Sequence, residues 1–255
     1  MPRDPKDRLP ADRLPADRLP ADRLIVALDV DSLDRATGLV DALAGQVTRF
    51  KIGSQLFTAE GPRTVEAVRK RGGEVFLDLK FHDIPNTVEG ATREAVRLGV
   101  FMFNVHAAGG RAMMRAASRG AAEASKTLGV PRPLVIAVTV LTSLDRAALA
   151  GELHVASSVE GHVLHLCTLA REAGLDGNVA SPNEIRAIRN AMGRAWAVVT
   201  PGVRPAGGEQ HDQSRVATPR AAVEAGADYL VVGRPITGAL DPARAAAVIL
   251  TEMRA

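Results

Sequence analysis

The chain has 255 residues, 46% hydrophobic and 3% aromatic, with 32 Lys and Arg against 29 Asp and Glu for a net charge of +3. That apolar content supports a sizeable core, and a single α/β barrel commonly uses a chain of this size. Basic residues scattered among acidic ones, with so few aromatic rings, argue against a stacking platform for nucleic-acid bases.

Residues 1–23 carry a five-residue repeat, "DRLPADRLPADRLPADRL". Pro10, Pro15 and Pro20 each lack an N–H and disfavour helix in the residue before them. The repeat predicts a solvated, low-complexity extension, followed by one barrel domain over residues 24–255. Cys167 is the only cysteine, so no internal disulfide forms, which suits a reducing compartment. No apolar run approaches membrane-spanning length and no signal segment is evident, so a cytoplasmic protein with no membrane partner is expected.

From Leu24 onward, short β-rich runs alternate with helical stretches. The predicted strands are "RLIVALD" (23–29), "VTRFKIG" (47–53), "EVFLDLK" (74–80), "FMFNVHA" (101–107), "PLVIAVTVLT" (133–142), "LDGNVAS" (175–181), "AWAVVTPG" (195–202) and "DYLVVGR" (228–234). Eight strand–helix units predict an α/β fold of the (β/α)₈ TIM-barrel class. An open doubly wound sheet is the alternative, but it calls for a Gly-rich phosphate loop after the first strand, and "ALDVDSLDRA" has none. In the sixth strand Asn178 interrupts the apolar run.

Polar residues gather at the predicted C-terminal strand ends, where such barrels place their active sites: Asp29, Lys51, Asp78, Lys80, His106, Thr142 and Arg234. Strand period puts Asp78 and Lys80 on one side, and Asp83 follows from a loop. With Lys51 on the neighbouring strand, these four form an expected cluster of two cations and two anions, in which opposite neighbours favour the ionised forms. A cationic acid fixed beside a carboxylate is suited to protonating a carbanion. A salt-bridge ring that merely closes the barrel is the plainer reading of the same residues. After strand seven, "VVTPGVRPAGGEQHDQSRVATP" is a long Gly/Pro-rich loop carrying Arg204, His211, Gln213 and Arg215, and strand eight ends in Gly233 and Arg234. Loops after strands seven and eight are the usual phosphate site of this fold. Gly233 admits an anion to the backbone and Arg234 offers a bidentate contact. His162 and His165, a helical turn apart, lack a third ligand and predict an ordinary helix face rather than a metal site.

Together these segments resemble the orotidine 5′-phosphate decarboxylase family. "DLKFHDIPNTV" looks like its signature, and "ALD", "FKIG", "VTVLTS", "PGVRP…DQSR" and "VVGRPI" match in order over about residues 24 to 250. The resemblance implies decarboxylation of orotidine 5′-phosphate to UMP, with no cofactor and no metal. It implies that Asp29 and Lys51 hold ribose hydroxyls, that Asp78 faces the scissile carboxylate, and that Lys80 protonates C6. It further implies a homodimer with shared sites, so that Asp83 and Thr87 come from the partner chain. Thr142 would bond the pyrimidine, and Arg204, Gln213, Gly233 and Arg234 would hold the phosphate. Two rivals remain: a metal-dependent sugar-phosphate decarboxylase or aldolase on the same barrel, and a non-catalytic phosphate-ligand sensor. Nothing in the sequence assigns a role to His82, His106 or His211.

Overall fold

The computed structural model describes residues 19–205 and 217–254. Eight parallel strands close into a barrel in sequence order. They are β1 (Leu24–Ala27), β2 (Arg49–Gly53), β3 (Glu74–Phe81), β4 (Met102–His106), β5 (Leu134–Val138), β6 (Gly177–Val179), β7 (Ala197–Thr200) and β8 (Tyr229–Val232). Each falls within or against its predicted run. The helices in chain order are α1 (Pro20–Arg23), α2 (Leu33–Ala42), α3 (Ser54–Glu60), α4 (Arg63–Lys70), α5 (Pro85–Arg97), α6 (Gly110–Leu128), α7 (Arg146–Gly151), α8 (Val159–Glu172), α9 (Ile185–Met192), α10 (Pro219–Ala225), α11 (Arg234–Thr237) and α12 (Pro242–Glu252). Side-chain oxygens of Ser32, Asp145, Ser158, Thr218 and Asp241 cap five of these helices by accepting a backbone N–H that the helix leaves unpaired. None of the helices in the described residues is long and apolar enough to cross a membrane.

Alternation along the strands sorts the apolar residues into two cores. Ile25, Phe76, Met102, Ile136, Val199 and Tyr229 fill the barrel. Val26, Ile52, Leu77, Phe103, Val135 and Leu230 face outward into the layer shared with the helices. Asn178 also belongs to that outer layer's strand face, which explains a polar residue in β6: its Oδ1 accepts the indole N–H of Trp196 at 2.7 Å, and the pair is buried. A buried indole N–H needs an acceptor, and Asn178 provides one.

At the N-terminal ends of the strands the Arg49 guanidinium lies 5.4 Å from the ring centre of Phe101 and 5.8 Å from that of Tyr229, and pairs with Glu74 at 2.8 Å. The last unit of the repeat takes part here. Pro20 does keep Leu19 extended, but it also opens α1 from the first helical position, where its missing N–H costs nothing. Arg49 then donates to the Asp22 carbonyl, and Arg23 donates to the carbonyls of Ala227 and Asp228 ahead of β8. The last repeat unit thus packs as α1 against the end of the barrel, ahead of its first strand at Leu24. The earlier repeat units lie outside the described residues.

Candidate active site

A cleft of about 620 Å³ opens at the C-terminal ends of the strands. Its floor is apolar, with Ala27, Phe76, Val199 and Val231 rising from inside the barrel, and its rim is polar. Of the predicted residues, Asp29, Lys51, Asp78, Lys80, Thr142, Arg204, Gly233 and Arg234 line it.

Charges concentrate on one wall. Lys51 Nζ lies 2.9 Å from Asp29 Oδ1 and 3.3 Å from Asp78 Oδ2. Lys80 Nζ donates to the other Asp78 oxygen, Oδ1, at 2.7 Å. Asp78 thus stands between two ammonium groups, with its side chain only 14% exposed. Burial pushes its carboxyl up, but attraction to Lys51 and Lys80, with hydrogen bonds from Lys80 and Asn104, outweighs burial and holds it below the usual carboxylate range. Burial likewise pulls Lys51 down, and Asp78 and Asp29 more than reverse it, so its ammonium titrates above the ordinary lysine value. Gly53 is needed for this packing: a Cβ there would lie 2.9 Å from Lys51 Nζ and 3.1 Å from Asp29 Oδ1.

Plain strand alternation does not account for how Asp78 and Lys80 meet. β3 and β4 pair at Leu77–Phe103 and again at Phe81–Val105, so residues 78–80 stand against Asn104 alone. The extra length is absorbed at Lys80, whose φ of 51° is left-handed, a conformation costing a residue with a Cβ about 1–2 kcal/mol. Asn104 fills the gap: its Oδ1 accepts the Lys80 N–H at 2.8 Å and its Nδ2 donates to Asp78 Oδ1 at 2.7 Å. Sequence reasoning missed Asn104. Its signal was a polar residue at an inward position of an otherwise apolar strand.

Asp83 does not join the cluster of its own chain, contrary to the expected alternation of Lys51, Asp78, Lys80 and Asp83. It lies in the exposed turn after β3, accepts from the Ile84 N–H at 2.6 Å, and neither it nor Thr87 lines the cleft. Asp29 is the second anion instead. The rings of His82 and His106 stack at 5.2 Å beyond the cluster. Burial, then His82 and Lys80, lower the His106 pKa, and its Nδ1 accepts the Ala108 N–H at 3.3 Å, so the neutral ring carries its proton on Nε2.

Arg204, Gly233 and Arg234 line the same cleft, and Gly233 follows β8 beside β1, where a Cβ on it would lie 3.8 Å from Asp29 Oδ2. Arg204 is 9% exposed, and its N–H donates to the Ala217 carbonyl at 3.0 Å, tying the two ends of the long loop together. His211, Gln213 and Arg215 lie outside the described residues. His162 and His165 stack at 6.3 Å on α8, and no group of three or more metal-binding side chains occurs among the described residues. Cys167 is buried, and burial together with Glu184 pushes its thiol up to about 12, so it is inert as a nucleophile.

The model of the Orotidine 5'-phosphate decarboxylase / HUMPS family matches residues 22–249. An orotidine 5′-phosphate decarboxylase of Moorella thermoacetica is 58% identical over 229 residues, covering 90% of this chain and 91% of the relative. One from Syntrophotalea carbinolica is 54% identical over 231 residues, covering 91% and 94%. The crystal structure of orotidine 5′-phosphate decarboxylase from Lactobacillus acidophilus superposes with a TM-score of 0.82 at 36% identity, covering 92% of this chain and all of that one.

The Asp78 environment predicts a pH-dependent stability. Its folded pKa lies below that of an ordinary aspartate, so its contribution is present above the unfolded value and is lost as pH falls through the folded pKa. Asp78→Asn removes the charge-assisted bonds and should cost on the order of 2 kcal/mol at pH 7. Urea unfolding of both proteins should show the gap shrinking below about pH 4. A gap that stays constant down to pH 2 would mean the carboxylate is not stabilised by its neighbours.

Proposed function

From the premise that the chain belongs to the orotidine 5′-phosphate decarboxylase / HUMPS family, we propose how its cleft works. The reaction is decarboxylation of orotidine 5′-phosphate in pyrimidine biosynthesis. The observation that carries the mechanism is the pair of ammonium groups, Lys51 and Lys80, anchored on Asp78 in a cleft that Arg204 and Arg234 also line.

Loss of CO₂ leaves its bonding electron pair on C6, in a vinyl-type orbital that the pyrimidine ring cannot delocalise. Fixed positive charge beside C6 stabilises that pair without reorganisation at the moment of reaction. Lys80 Nζ then gives its proton to C6, forming UMP, and the neutral amine recovers a proton from solvent. Lys51 and Asp29 hold the ribose hydroxyls, and Thr142 the pyrimidine. Asp78 faces the scissile carboxylate and keeps Lys80 aimed. At the other end Arg204, Gly233, Arg234 and Gln213 take the phosphate, which is remote from C6 and so acts through binding energy and exclusion of water. On this reading no cofactor and no metal is needed, because Lys51 and Lys80 supply the positive charge and Lys80 the proton. A cytoplasmic location fits the single buried, unpaired thiol.

The reading includes a homodimer with shared sites. Asp83 and Thr87 are exposed and outside their own cleft, next to Ile84, which is 66% exposed. In a dimer this turn would reach the partner's cleft, adding Asp83 as a further anion beside Lys80 and Thr87 as a substrate contact.

Absorbance change on mixing the protein with orotidine 5′-phosphate should be fast and indifferent to EDTA, whereas an enediolate enzyme on this barrel would stop. Lys80→Ala should lose at least ~10³-fold in turnover; a folded variant with near-normal turnover contradicts the assignment. Mixing inactive Lys80→Ala and Asp83→Ala proteins should regenerate activity, because one site of each heterodimer regains every residue. No activity despite demonstrated subunit exchange would remove the shared site.

The phosphate grip makes a separate forecast. Arg234→Ala should cost about 2–4 kcal/mol of transition-state stabilisation, roughly 30- to 1,000-fold in kcat/KM. The loss should largely vanish with orotidine, which has no phosphate. An equal loss on both substrates would assign Arg234 to the barrel or the base site.

A further inference from the structure

Asn104 sits where β3 and β4 lose their common register, with three residues of β3 opposite it. The bulge takes the Lys80 N–H out of the ladder, and Asn104 Oδ1 accepts it at 2.8 Å. Its Nδ2 donates at 2.7 Å to Asp78 Oδ1, the same oxygen that receives Lys80 Nζ at 2.7 Å. The orientation of the amide follows from chemistry. A backbone N–H only donates, so the oxygen must face Lys80, and the nitrogen is left to face an ionised carboxylate that only accepts. Asn104 is 1% exposed, so water does not compete for either contact.

We propose that Asn104 is the positioning residue of the decarboxylation site: one amide fixes both the carboxylate that anchors the proton donor and the strained backbone from which the donor extends. This rests on the reading of the cleft given above. Lys80 is held at both ends. Its backbone is kept left-handed by Asn104 Oδ1, and its ammonium is directed by a carboxylate that Asn104 Nδ2 prevents from rotating. No other side chain of this size does both, because leucine offers neither group and an ionised aspartate offers no donor.

The groups that titrate around this point are Asp78 and Lys80 on β3, Lys51 on β2, Asp29 beyond β1, and His106 further along β4 with His82 stacked on it. Two substitutions separate positioning from mere support. Asn104→Leu keeps the branched outline, with a larger volume, and removes both contacts. It should lower kcat by roughly 10²-fold, the scale of a small misplacement of a reacting group, while KM moves by less than about threefold, since no substrate contact is lost. Asn104→Asp keeps an acceptor for Lys80 but sets a second anion against Asp78. At low pH a shared proton restores a donor to Asp78; at high pH the two carboxylates repel. The ratio of its kcat to that of the unaltered protein should therefore rise as pH falls.

Normal kcat in a folded Asn104→Leu protein, a loss confined to KM, or a ratio for Asn104→Asp that is flat with pH would each overturn the proposal. If Asn104→Leu does not fold, the Asn104→Asp profile decides. A crystal structure of either variant gives a reading independent of turnover. Lys80 should leave the left-handed region or its Nζ should part from Asp78, and unchanged geometry at both overturns the proposal. Absence of turnover in the unaltered protein would defeat the functional reading, and that crystal structure would still decide the role of Asn104.

Discussion

The site depends on one carboxylate. Asp78 lies nearly out of solvent, a position in which an unpaired charge is disfavoured by several kcal/mol. It is ionised there because Lys80 and Asn104 bond one oxygen and Lys51 approaches the other. The dependence is mutual, since Lys51 is buried and the attraction of Asp78 and Asp29 more than reverses the downward pull of burial on its ammonium. The four charges of the cluster, Asp29, Lys51, Asp78 and Lys80, sum to zero. Two ammonium groups are thereby fixed in the cleft by carboxylates on neighbouring strands. A carbanion forming beside them meets positive charge already in place, which is the condition under which electrostatic stabilisation lowers a barrier most.

The barrel is shaped around that condition. β2 ends in a glycine so that Lys51 can fold back onto Asp29. β3 gives up regular pairing with β4 over residues 78–80, so that Asp78 and Lys80 meet without leaving the strand. The strain this places on Lys80 is offset by Asn104 and by the surrounding core. At the far end of the barrel, Arg49, Glu74, Arg23 and α1 close the interior with ion pairs and backbone hydrogen bonds. Irregularity is thus concentrated where the chemistry is, and the ordinary ion pairs serve closure.

Strand order, helix order and the site wall were legible in the sequence because both periodicities were clean and the polar residues fell at strand ends. Lys51, Asp78 and Lys80 were found by that logic, and Thr142, Arg204, Gly233 and Arg234 line the same cleft. The misses have physical causes. Asn104 was hidden because a bulge is a property of two strands, and no single strand shows it. Asp83 was drawn into its own chain's cluster by sequence proximity, although the turn after β3 carries it away. Asn178 looked like a defect in β6 because its partner, Trp196, is eighteen residues further along. Pro20 was read only for what it does to Leu19, and its fitness for the first position of α1 was overlooked.

The central claim is that the protein stabilises a C6 carbanion and that Lys80 delivers its proton. By microscopic reversibility, the same carbanion is reached from UMP when the neutral Lys80 amine removes the C6 proton. Proton NMR of UMP in D₂O with the unaltered protein and with Lys80→Ala measures this directly, free of any carboxylate. The account predicts exchange of the C6 hydrogen for deuterium faster than in free UMP, and exchange at background with Lys80→Ala. Equal rates with both proteins, or none above background with either, would contradict it.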